Sequence, residues 1–154
     1  MSIHIRLIVD DRHGALDRIA GLIRRNGLNI SEINAGAKGD GTSHINIRMK
    51  DKVADVNVLG KRLAQLECVR SLEECSAETH LTKEILLFSI RCGDYNDEMF
   101  AGMQLVEQTG GLMIFGYMAS PHDIDTLLIT HKDLICDYSR GGALAIKKEG
   151  GENK

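Results

Sequence analysis

Apolar residues Ile3, Ile5, Leu7 and Val9 alternate with His4, Arg6 and Ile8, a period of two that predicts a strand with one buried face. The period then lengthens. Leu16, Ile19, Ala20 and Ile23 fall at i, i+3, i+4 and i+7, on one stripe of a helix, with Arg18, Arg24 and Arg25 largely off it. Gly27 is suited to end that helix in a left-handed conformation, because it has no Cβ to clash. A second strand is expected from Leu28 to about Ala37. Gly36, Gly39, Asp40 and Gly41 can supply the turn of a hairpin, and His44–Met49 alternates again as its return strand. Val53 to Leu66 keeps a helical spacing, and a short strand around Val69 to Glu73 closes the unit.

That order, β-α-β-β-α-β, is the ferredoxin-like split arrangement of an α+β domain. Its two helices cover one face of an antiparallel sheet. The other face, bearing His4, Arg6, His44, Asn46 and Arg48, is expected to be solvated or packed on a partner. Cys75 to Thr82 reads as a polar linker, and Glu84 to Ile90 as the first strand of a second unit. Met99, Phe100, Met103, Leu105 and Val106 fit a helix over Asn96–Gln108 that stops at Gly110-Gly111. Leu112 to Met118 is a strand, Pro121 opens a helix reaching about Lys132, and Gly142 to Lys147 is the last strand. The expected domains are therefore 1–76 and 83–148, the second a shortened α+β unit in which one strand is missing from the central hairpin.

Composition narrows the function classes. The chain has 154 residues, 43% hydrophobic and 27% charged, with a net charge of −3. That is an ordinary globular composition with no general attraction to nucleic acid or anionic membrane. No apolar run is long enough to span a bilayer. The N-terminus enters a strand at once, so a secretory signal is not expected and the predicted location is cytoplasmic. Cys68, Cys75, Cys92 and Cys136 have no C-x-x-C spacing and the six histidines form no ligand motif, so no metal is expected. Gly36–Gly41 lacks Walker spacing and sits between two strands. No nucleophile elbow or zinc-protease helix is present. Asp10 and Asp11 are a possible acid–base pair. The arginines at 12, 18, 24 and 25 have no aromatic residues interleaved for nucleic-acid binding.

The stretch from Asp10 to Ile30 carries the most specific signal. Gly14 before the first helix leaves backbone amides open, and a helix start can hold a carboxylate. The same residues also fit an ordinary loop capping an ordinary helix. Gly14-Ala15-Leu16, Arg18-Ile19-Ala20-Gly21-Leu22-Ile23 and Gly27-Leu28-Asn29-Ile30 resemble the first helix of an ACT domain. More narrowly, they resemble the regulatory small subunit of acetolactate synthase (acetohydroxyacid synthase). Asp137 to Ala145 is similar to that family's closing turn and strand.

The resemblance implies a non-catalytic regulator of branched-chain amino acid biosynthesis. It would bind a branched-chain amino acid, typically valine, between two ACT domains. Asp11, His13, Gly14 and Ala15 would come from one copy of a homodimer, and Asn29 with Ile30 from the other. The partner would be a separate catalytic large subunit carrying thiamine diphosphate, FAD and magnesium, with no cofactor on this chain. The family usually carries asparagine where this chain has Asp11. Two alternatives remain at this stage. One is a free-standing ACT-type sensor for another enzyme or regulator, and the other is a small enzyme using the second domain.

Overall fold

The opening alternation becomes strand β1 (Ile3–Asp10), paired antiparallel with β3 (Thr42–Met49) on one side and β4 (Val69–Glu74) on the other. The computed structural model describes residues 3–49 and 56–148. Strand β2 (Ile30–Ala37) pairs antiparallel with β3 at one edge, so the sheet runs β2-β3-β1-β4. Helices α1 (Ala15–Arg25) and α2 (Val56–Ala64) cover one face. Residues 53–55 of the expected second helix lie outside the described residues. Register places Ile5 opposite Ile47 and Leu7 opposite Ile45, and these four join Ile19, Ile23, Leu59 and Leu63 in one buried core. Each such side chain contributes about 1.5–3 kcal/mol on leaving water.

Helix α1 ends as its glycine predicts. Gly27 has φ +73°, its N–H donates to the carbonyl of Arg24, and the Leu28 N–H donates to that of Ile23. That pair of bonds is a Schellman motif. The stripe itself differs from expectation at its start. Ala15, Ile19 and Ile23 are the buried positions, while Leu16 is 45% exposed. The helix begins at Ala15, and residues four apart share the face that meets the sheet.

The opposite face of this sheet is not simply solvated. His4 and Asn46 are buried there, and Glu32 pairs with Arg48 at 2.7 Å. Its cover comes from the same chain. Strand β8 (Ile135–Lys147) divides between two compact units, its residues from Ala143 onward grouping with the first 81 residues and the remainder with 82–142. The Ala143 N–H donates to Glu32 Oε2 (3.2 Å) and that of Ala145 to Asn46 Oδ1 (3.3 Å). The Lys148 N–H donates to the Thr79 carbonyl. The last strand, read from sequence as belonging wholly to the second domain, therefore serves both units. Burial, with the Arg48 guanidinium adding to it, pushes the His4 imidazole down to about 4, and its Nε2 has no hydrogen-bond partner among the described residues.

In the second unit the sheet has four strands, in the order β6-β7-β5-β8, so the strand expected to be missing is present. β5 (His80–Arg91) pairs antiparallel with β7 (Leu112–Ala119), and β7 with β6 (Gln104–Thr109). The helix expected over Asn96–Gln108 does not form. Gly102 takes φ +81°, and Gly110 and Gly111 both have positive φ between the paired residues Thr109 and Leu112. Two consecutive positive-φ glycines make the tight turn of a hairpin rather than a helix stop. Residues 92–103 instead wrap an aromatic group, Phe88, Tyr95, Phe100 and Phe115, whose neighbouring ring centroids lie 5.5–6.1 Å apart. Helix α3 (Pro121–Thr130) starts as expected, with the Asp123 N–H donating to the Ser120 hydroxyl as its cap.

Candidate ligand-binding site

Residues 11–14 link β1 to α1 and are anchored at their base. The Asp10 N–H donates to the Cys68 carbonyl, the Asp11 N–H to the Gly41 carbonyl, and the Asp10 carboxylate accepts from Arg70 at 2.6 Å. Asp10 is thereby engaged in an ion pair with Arg70. Arg12 reaches Glu67 at 3.7 Å. Asp11, His13 and Gly14 are exposed, and Gly14 takes φ +79° as the N-cap of α1.

A glycine cap has no side chain to satisfy the first turn. The Arg18 N–H donates to the Gly14 carbonyl, which begins the helical ladder. The N–H groups of His13, Gly14, Leu16 and Asp17 have no protein acceptor among the described residues. They form a cluster of donors at the positive end of the helix dipole, suited to a carboxylate. A Cβ built on Gly14 would meet nothing within 4 Å, so the space above the loop is open. Ala15 behaves differently from its neighbours. Its side chain is buried and its N–H donates to the Arg12 carbonyl, so it shapes the loop from behind. The amides of Leu16 and Asp17 escape a reading of side-chain types, because their availability follows from the cap conformation.

The other expected residues lie elsewhere in the same copy. Asn29, exposed, and Ile30, half-buried, sit at the start of β2, beyond the C-terminal end of α1. The 11 residues of α1 span about 16 Å at a rise of ~1.5 Å each, so the two groups stand at opposite ends of the helix. One chain does not bring them together around a small molecule.

β2 is an edge strand with an apolar side left open. Ile33 stands opposite Ile47 and Ala35 opposite Ile45, both buried on the helix-covered face, yet Ile33 is 41% exposed and Ala35 is exposed. Ile33 and Ala35 therefore continue the core face past the reach of the helices. Such an edge can accept another strand.

Comparison with known proteins meets this arrangement from outside. Residues 3–67 match the ACT domain. The N-terminal unit is an ACT domain. Over 154 aligned positions the chain is 24% identical to the acetolactate synthase isozyme 3 small subunit of Escherichia coli, covering 94% of each. It is 26% identical to the acetolactate synthase small subunit of Buchnera aphidicola, covering 94% of this chain and 96% of the relative. In fold it matches the acetolactate synthase small subunit of Thermotoga maritima with a TM-score of 0.83, over 98% of this chain and 99% of that one, at 18% identity. ACT domain and second unit thus follow the small-subunit architecture together. The relatives are small subunits of an enzyme rather than its catalytic chains. Among the described residues no group of His, Cys, Asp and Glu is placed to hold a metal, and no helix is long and apolar enough to cross a membrane.

Proposed function

We propose that this chain is the regulatory subunit of an acetolactate synthase. It acts as a homodimer through its ACT domain, binds a branched-chain amino acid, valine foremost, between the two copies, and modulates a separate catalytic subunit. The observation that carries this is the correspondence with small subunits along 94% of the chain. Two features of the fold support the location of the site. The loop and Asn29–Ile30 lie at opposite ends of α1, so only a second copy can bring one of each together. The open apolar edge of β2 is where that copy would join.

In this arrangement the amides of His13, Gly14, Leu16 and Asp17 receive the ligand carboxylate. Asn29 and Ile30 of the second copy meet its ammonium group and its branched side chain. Gly14 permits close approach of the backbone. The effect on the catalytic subunit cannot exceed the difference in the ligand's affinity for the two states it selects between.

The test is reconstitution with candidate thiamine-diphosphate catalytic subunits. Co-purification is expected, with activity that changes on adding this chain and changes again on titrating valine. Sedimentation should give a dimer at micromolar concentration. Gly14→Asp should abolish valine binding and keep the fold, because the site is open and aspartate tolerates positive φ at a cost of about 1 kcal/mol. Binding of valine without any effect on such subunits would favour a free-standing sensor, and a stable monomer would remove the interface.

A further inference from the structure

Between the candidate ligand residue Ile30 and the ion-paired Glu32 there is one residue, and the ladder is irregular there. Ile30 faces Met49 and Glu32 faces Arg48, so Ser31 is the extra residue of a bulge. Its hydroxyl donates to the Arg48 carbonyl at 3.0 Å. Glu32 spends both carboxylate oxygens: Oε1 accepts from Arg48 Nη1 at 2.7 Å, and Oε2 from the Ala143 N–H at 3.2 Å. Ala143 and Ala145 are both buried, and each of these N–H groups is held by a side chain, Glu32 for the first and Asn46 for the second. A strand fastened by side-chain acceptors depends on where those side chains are carried. Residues 135–142 of the same strand belong to the second unit.

We propose that Glu32 couples occupancy of the amino-acid site to the hold on β8. A ligand that fixes Asn29 and Ile30 steadies the bulge, and with it the carboxylate that grips Ala143. Release or capture of the segment from Ala143 to Lys148 then changes how the rest of β8 is tethered. This is a route by which the ACT domain informs the second unit, and it rests on the site assignment proposed above. Coupling of this kind is reciprocal: the factor by which bound ligand tightens the grip is the factor by which the grip tightens the ligand. Gln at position 32 keeps the size of the side chain, but offers one acceptor where two donors converge.

Residue-resolved amide exchange on the intact chain, with and without saturating valine, tests the coupling. Valine is expected to slow exchange at Ala143 and Ala145 by about fivefold or more, the lower range of allosteric coupling. Glu32→Gln should speed exchange at both amides and weaken valine, measured by calorimetry, by up to the factor with which valine slows exchange in the wild type. If Glu32 were merely structural, exchange would rise in the variant with valine affinity unchanged, and that outcome overturns the inference. So does valine binding to the wild type that leaves both amides unmoved, a result needing no variant and leaving the site assignment intact. Failure of valine, leucine and isoleucine alike to bind the wild type would bring down the site assignment and the coupling together.

Discussion

Glu84 and Arg140 meet through two parallel hydrogen bonds, Nε to Oε1 at 2.5 Å and Nη2 to Oε2 at 2.7 Å, and Arg140 Nη1 also donates to Asp125 on α3. Glu84 is fully buried while Arg140 keeps some exposure. One guanidinium thus ties β5, β8 and α3 of the second unit into a single frame. Removing it strands a buried carboxylate. Arg140→Met should cost the second unit about 3–5 kcal/mol, and Arg140→Lys should recover only part, since an ammonium cannot make the fork. Tyr95, Tyr117 and Tyr138 are the chain's three tyrosines and the chain has no tryptophan, so tyrosine fluorescence during urea unfolding reports this unit. A lysine variant as stable as wild type would show that the paired geometry is not what matters.

Gly36 faces His44 in the β2–β3 ladder, and a Cβ at position 36 would come within 2.8 Å of the imidazole. Gly36→Ala should therefore destabilise the ACT domain by about 1–2 kcal/mol through overpacking. In a His44→Ala background the same change should be nearly neutral. A double-mutant cycle by circular dichroism measures the difference, and equal costs in both backgrounds would clear the ring of blame.

His4 links stability to pH. In the folded chain its pKa is about 4, against 6.5 for the ordinary side chain, because burial and Arg48 disfavour the charged form. The unfolded chain takes up the proton first on acidification. The contribution of His4 is thus complete above pH ~6.5 and is lost as pH falls toward 4, by on the order of 3 kcal/mol at most. The other groups around it are Asn46, Arg48 and His80. Urea midpoints between pH 7 and 4 should fall more steeply for wild type than for His4→Leu. Parallel slopes would place the titration elsewhere.

Asp11 sits exposed on the loop before α1, beside the proposed carboxylate position. A full negative charge there opposes the ligand; at ~4 Å and an effective dielectric of ~20 the term is about 4 kcal/mol before screening. Asp11→Asn should tighten valine by about tenfold, or ~1.4 kcal/mol. Titrations with valine, leucine and isoleucine check this, and unchanged or weaker binding of all three would mean that Asp11 faces the ammonium group or lies outside the site.

Much of the first unit was legible because its signals are local. The period of two in β1 and β3, the helical stripe at Ile19 and Ile23, and Gly27 at the helix end each act within a few residues. The stretch from Met99 to Val106 was not, since its apolar spacing suits either period and Gly110-Gly111 can close a helix or a hairpin. The aromatic group around Phe100 decided between them, and its members come from distant segments.

By itself, then, the sequence determined the ferredoxin-like order of the ACT domain and the glycine-capped loop before α1. Tertiary structure alone decided three further things: that the fourth strand of the second sheet is β6, that the residues of β8 from Ala143 onward bond to the polar face of the first sheet, and that Ile33 and Ala35 of β2 are left exposed. The physical reason is common to all three. Periodicity records which face of an element is buried, whereas what covers that face depends on contacts between residues far apart in the chain.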